Sequence, residues 1–310
     1  AGQRVDPPAG RTAPPWRAGQ TGGMPGALPT GDPVPDDGAL PAAARTAVGA
    51  RGFGVYLHVP FCASRCGYCD FNTYTVQDGV DRDGYLDAVL AELDLAGRVL
   101  AGAAPRQVDT VFVGGGTPTL LPAGDLGAVL ERIDAVWGLA ADAEITTEAN
   151  PESVDPGSLR ALRAAGFNRI SLGMQSTAER VLAVLDRRHS PGRAAVAAVE
   201  ARAAGFQRVN LDLIYGTPGE RAEDFAASVR AAIEAGADHV SAYALIVEDG
   251  TRLARRISRG ELPMPDDDVL ADRYDRFRIE IVAYFLALLQ SVALAVLAYA
   301  DALTIWPLAI

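Results

Sequence analysis

"GVYLHVPFCASRCGYCDFN", residues 54–72, holds every cysteine of a 310-residue chain. Its opening run, Gly54 to Val59, is short and rich in β-forming side chains, which predicts a strand. That strand leads directly into a loop with the spacing C-x3-C-x2-C, formed by Cys62, Cys66 and Cys69. A strand that ends in a chemically specialised loop sets the polarity for everything downstream.

Outward from it the sequence alternates. Tyr85, Leu86, Val89, Leu90, Leu93 and Leu100 share one helical face, predicting a helix over about 83–101. "VDTVFV" (108–113) predicts the second strand, ended by "GGGTPT". Further helices are predicted at 123–137, 156–165, 176–185, 192–204 and 221–235. They alternate with strands at 143–149, 169–173, 207–216 and 239–245. Six strands in such alternation predict an α/β fold with a parallel sheet and right-handed crossovers, a partial (β/α)6 barrel of TIM-like type. Gly166, Gly205 and Gly236 each stand between a helix and the next strand, where glycine supplies a left-handed cap. The unusual residues fall just after strands or on their last positions, which is the catalytic end of such barrels.

Composition bounds the rest. The net charge of −11 argues against a general nucleic-acid surface. Three clustered cysteines cannot form a paired disulfide framework, and a reducing, cytoplasmic setting suits them better. Residues 1–50 show no secretion signal and contain nine Pro and nine Gly with few large apolar side chains, so they are expected to be a disordered leader. The core is expected over 51–275. Residues 276–310 form an atypical tail in which 281–300, "IVAYFLALLQSVALAVLAYA", carries no charge. That length meets the criterion for a spanning helix, and Arg273, Arg276 and Arg278 precede it. A helix packed on the barrel and a frameshifted end are the competing readings, and membrane association is not favoured.

Three thiolates on one short loop are soft ligands suited to zinc or an iron–sulfur cluster. Structural zinc wants a fourth ligand, and His58, the nearest histidine, lies inside the strand. A [4Fe–4S] cluster normally takes four cysteines, so three leave one iron open to a small molecule. The alternative without a metal is three small buried hydrophobes. GGGTP taken alone could be a tight turn and Glu148 a solvated charge, whereas Asp212 between Leu211 and Leu213 is harder to dismiss, because a buried unpaired carboxylate is costly.

Taken together, the cysteine spacing and GGGTP resemble the radical S-adenosylmethionine (SAM) superfamily over about residues 53–275. "YLHVPFC", "GGGTPTLL", "TTEANPES", "RISLGMQS" and "NLDLIYGTPGE" narrow the resemblance to the group of HemW haem chaperones and oxygen-independent coproporphyrinogen III oxidases. The resemblance implies that Cys62, Cys66 and Cys69 hold a [4Fe–4S] cluster whose open iron is chelated by SAM. It implies that Tyr56 and Tyr68 pack near SAM and that Gly114, Gly115, Gly116 and Thr117 expose backbone to its methionine end. Glu148, Gln175, Arg187 and Asp212 would line the SAM pocket, with Ala244 near the adenine. Arg188 adjoins Arg187, and either could serve.

Within this group, the oxidases carry a further cysteine two residues after the third. Here that position is Phe71, which resembles the chaperone branch. The branch implies haem or porphyrin as a ligand, a haem-accepting protein as partner, and an electron donor such as flavodoxin or ferredoxin. The runner-up is a true oxidase of the coproporphyrinogen dehydrogenase type, and a radical SAM enzyme of another substrate stays open. The family's C-terminal region, with its haem-linked histidine motif, has no counterpart here. His189 and His239 lie within the expected barrel and match no such motif.

Overall fold

The structure is a computed structural model. It describes residue 40, residues 52–75, 78, 82, 84–101, 107–187, 190 and 192–265. Apart from residue 40, the expected leader lies outside the described residues, as do the 281–300 segment, Arg188 and His189. Among the described residues no helix is long and apolar enough to cross a membrane.

Six strands form one sheet: β1 (Gly54–Val59), β2 (Val108–Gly115), β3 (Leu139–Ala149), β4 (Arg169–Gln175), β5 (Arg208–Tyr215) and β6 (His239–Ala244). They lie side by side in chain order, and every neighbouring pair is parallel. A doubly wound sheet reverses its strand order at a switch point, whereas this one never reverses. Sequential winding is the topology of a barrel, left open between β1 and β6 among the described residues.

The helices fill the crossovers: α1 (Tyr85–Leu100), α2 (Ala123–Trp137), α3 (Pro156–Ala164), α4 (Glu179–Val184), α5 (Arg193–Ala203) and α6 (Ala222–Glu234), with α7 (Arg252–Ser258) following β6. Their ends follow local chemistry. Asp155 caps α3 by accepting from Ser158 N at 2.7 Å, and Pro156 occupies the first turn, where its missing N–H costs nothing. Gly166, Gly205 and Gly236 have φ of 113°, 96° and 75°, the left-handed closures expected of them. The central strands are buried along nearly their whole length, as a parallel sheet covered on both faces requires. Ile170, Leu172, Leu211 and Leu213 are fully enclosed with Phe167.

Two boundaries differ from expectation. Strand β3 begins at Leu139 rather than 143, because Gly138 (φ 81°) breaks α2 and Asp134 accepts from Leu139 N at 2.7 Å, turning the chain at once into the sheet. Helix α4 starts at Glu179 rather than 176. Residues 176–178 are instead pinned as a loop, since Thr177 N donates to the buried Ser228 Oγ at 2.9 Å and Ala178 N to Ser176 Oγ at 3.1 Å.

Candidate functional site

The cysteine loop leaves β1 at the carboxyl end of the sheet and is held there by backbone hydrogen bonds. Phe61–Cys62 pairs in parallel with Tyr74–Thr75, closing the loop on itself. Gly116 N donates to Val59 O and Thr117 N to Phe61 O, both at 2.7 Å. At the tip, Gly67 N donates to Leu185 O at 2.9 Å and Gly67 O accepts from Leu253 N at 2.8 Å, so the loop is fastened to α4 and α7. Gly116 is required by space: a Cβ there would stand 2.5 Å from Phe61 O and 3.0 Å from Cys62 Sγ.

All three cysteines line one cavity of about 430 Å³, together with Tyr68, Gly116, Thr117 and Arg187. No three His, Cys, Asp or Glu side chains among the described residues converge on a single-ion centre. Three thiols spread around a cavity suit a polynuclear cluster, each sulfur reaching a different iron. His58 is spoken for: its Nε2 lies 2.8 Å from Asn72 O and its Nδ1 3.0 Å from Tyr56 Oη. Burial raises the Cys62 and Cys69 thiols, and their neighbouring cysteines push the same way. Bound iron would reverse that by stabilising thiolate. Arg187 Nη1 donates to Cys66 Sγ at 3.3 Å and Nη2 to Gly173 O at 3.0 Å, while its Nε is buried without a partner. On donor chemistry and space, these residues fit a cluster.

A second cavity of about 450 Å³ adjoins the first and shares Tyr68, Phe71, Gly116, Thr117, Asn150 and Arg187 with it. Its floor is acidic. Glu148 Oε2 accepts from Gly115 N at 2.9 Å. Asp212 accepts from Ser171 Oγ at 2.8 Å and from Asn210 Nδ2 at 2.7 Å. Burial raises both carboxyls, and Asp212 raises Glu148 further, against the lowering effect of these hydrogen bonds. Two carboxyls and a buried guanidinium in one wall suit a ligand that carries both an ammonium group and a carboxylate. Ile214, Tyr243 and Ile246 supply an apolar side.

The structure places eight of the eleven expected pocket residues in this wall: Tyr68, Gly116, Thr117, Glu148, Gln175, Arg187, Asp212 and Ala244. Tyr56, Gly114 and Gly115 are not in it. Tyr56 is largely exposed and stacks on Phe112 with ring centroids 6.1 Å apart. Gly114 and Gly115 instead serve Glu148: a Cβ on Gly114 would come within 2.8 Å of its carboxylate, and Gly115 donates to it. Strand β4 runs on to Gln175, two residues past its expected end at Gly173. The β4–β5 register slips between Gly173 and Gln175, and Gln175 takes φ 64°. That bulge turns its side chain toward the cavity, a use of local strain that no sequence periodicity announces.

Ser171, Asn210 and Gly173 were missed by sequence reasoning. A signal existed for Asn210, which lies two residues before Asp212 and so shares its face of the strand. Ser171 needed the cross-strand register, in which it faces Asn210. Gly173 needed the three-dimensional path of Arg187, whose guanidinium occupies the space a Cβ would take.

Comparison with known proteins agrees with this geometry. The family model for the radical SAM superfamily matches residues 56–232. The chain is 63% identical over 225 residues to the haem chaperone HemW of Mycobacterium tuberculosis, covering 72% of this chain and 57% of that protein. It is 40% identical over 222 residues to HemW of Escherichia coli, covering 72% and 57%. The chain thus spans a little over half the length of these relatives. Among solved structures, coproporphyrinogen III oxidase (HemN) from Escherichia coli, a radical SAM enzyme, superposes with a TM-score of 0.64 at 30% identity, covering 76% of this chain and 55% of that one.

Proposed function

Because the chain belongs to the radical SAM superfamily, binding a [4Fe–4S] cluster and SAM, we propose that it is the core of a haem chaperone of the HemW kind. The observation that carries this reading is the 63% identity to HemW across the cluster loop and barrel. Phe71 supports it: where the oxidases of the resembling group place a further cysteine, this chain has a side chain that is 61% exposed at the cavity rim. Tyr243 and Ile246, also exposed, stand on the same rim. An exposed apolar group beside a ligand cavity suits a flat apolar macrocycle or the protein that receives it.

In this reading Cys62, Cys66 and Cys69 hold the cluster, and Arg187 orients Cys66 and neutralises thiolate charge. Glu148 and Asp212 would receive the ammonium and hydroxyl groups of SAM and Arg187 its carboxylate, with the missing Cβ of Gly116 leaving room beside the loop. When bound, the cluster and SAM supply one-electron reductive chemistry. Tyr68 and the rim side chains exclude water around that site. The partners are haem and a haem-accepting protein, with an external electron donor, in the reducing setting of the cytoplasm.

The likeness to the oxidase structure favours a second reading, oxidative decarboxylation of a porphyrinogen. One experiment separates the two. The chain is purified anaerobically, its iron counted, and haem binding and coproporphyrinogen turnover measured on the same sample. Haem binding without turnover is expected. Turnover without haem binding reverses the assignment, and stoichiometric zinc without iron removes both.

A further inference from the structure

The cysteine loop has a second face. A third cavity of about 350 Å³ is walled by Cys66 and Cys69 and by Arg65, Arg252 and Arg255, and it shares Ala63, Ser64, Cys66 and Cys69 with the cavity that all three cysteines line. It has no wall residue in common with the cavity of about 450 Å³, so the loop separates the two. We propose that this arginine-lined face is the docking surface for a small acidic electron-donor protein. The inference rests on the cluster assignment made above.

Charge is the first argument. Three arginines face one acid, Asp78, in the wall, although the whole chain carries −11. The arginines are exposed and weakly engaged. Arg65 is near enough to Asp78 in the same wall to help hold that carboxyl low, after the hydrogen bonds from Thr75. Arg255 Nη1 donates to a neutral carbonyl, Gly250 O, at 2.6 Å, and Arg252 lies 3.3 Å from Asp186. A local positive patch on an acidic protein steers an acidic partner to one place and repels it elsewhere. Arginine is also the cation enriched at protein interfaces.

Position is the second argument. Leu253 N, within the arginine-bearing helix α7, donates to Gly67 O, between Cys66 and Cys69. The patch is therefore fixed to the cluster loop itself. A partner seated there touches the ligating residues while the ligand cavity stays open on the other side. From this seat the donor's reduced cofactor would pass one electron to a cluster held by Cys62, Cys66 and Cys69, leaving the donor oxidised by one electron with no bond or proton exchanged.

The test uses the full chain after anaerobic reconstitution, and the apo chain in parallel, with an oxidised flavodoxin as the probe. Association is followed at low and high salt for wild type and R65E. A fall of about tenfold in association rate for R65E at low salt, erased at high salt, is expected. Iron content and melting temperature should match wild type, and SAM should not displace flavodoxin. Binding that ignores both R65E and salt, or that SAM abolishes, overturns the proposal. If R65E misfolds, the salt dependence of wild-type association decides: a flat profile overturns it. A chain that takes up no iron defeats the cluster assignment, whereas the docking measurement on apo protein still judges the surface.

Discussion

Replacing Gly116 by alanine puts a methyl group 2.5 Å from Phe61 O, 2.9 Å from Phe61 C and 3.0 Å from Cys62 Sγ. Ordinary contact begins near 3.5 Å, so the shortfall at the carbonyl is about 1 Å. Two of the three atoms are backbone and cannot rotate aside. The strain must be relieved by moving the strip that Gly116 N and Thr117 N hold to Val59 O and Phe61 O. Overpacking of this kind costs about 1–3 kcal/mol, and weakening those two bonds adds about 1 kcal/mol. The expected sum is about 2–4 kcal/mol. At about 2–4 °C per kcal/mol for a chain of this size, melting should fall by roughly 4–16 °C. The displaced atom nearest the site is Cys62 Sγ, so iron and sulfide per chain should fall as well after anaerobic reconstitution. Gly124→Ala is the control, because nothing lies within 4 Å of its added Cβ. That exposed helical position should gain about 0.5–1 kcal/mol and keep its iron. A Gly116→Ala protein with full iron content and a wild-type melting curve refutes the packing argument.

Glu148→Gln should stabilise the apo chain at pH 8. Burial raises this carboxyl, so its contribution to stability is complete below about pH 4.3, the ordinary glutamate value, and is lost as pH rises through the folded value. The mutant's advantage should therefore fade toward acid in melts run across pH, while SAM affinity falls; an advantage that grows toward acid contradicts the sign. Arg187→Met removes the donor to Cys66 Sγ and a positive charge beside it, so the reconstituted cluster should show a more negative midpoint potential in redox titration followed by paramagnetic resonance. Ser228→Ala strips Thr177 N–H of its acceptor in a buried setting and should cost about 1–3 kcal/mol in denaturant melts without changing iron content.

Much of this architecture was legible because it rests on local signals. The alternation of strands and helices follows from hydrophobic period, and the closures at Gly166, Gly205 and Gly236 follow from the one residue that enters the left-handed region cheaply. Cys62, Cys66 and Cys69 stood out as candidate ligands because three soft donors on one loop have few other uses. What stayed hidden depends on contacts between distant strands. The partnership of Ser171 with Asp212 spans 41 residues and exists only in the parallel register. The turn of Gln175 depends on a bulge, and the contacts of Gly114 and Gly115 with Glu148 depend on the packing of β2 against β3. The arginine face was invisible for the same reason: Arg65 and Arg255 are 190 residues apart in sequence (255 − 65) and meet across one cavity.

The two adjoining cavities share six wall residues, among them Arg187, which grips Cys66 with one nitrogen and the Gly173 carbonyl with another. Occupants of the two compartments therefore touch the same side chains. Thermodynamic reciprocity then ties their occupants together: whatever factor the metal adds to the nucleoside's affinity, the nucleoside must return to the metal's. With SAM completing the open iron, a SAM-saturated chain should hold its iron at equilibrium to a higher chelator concentration than one left bare.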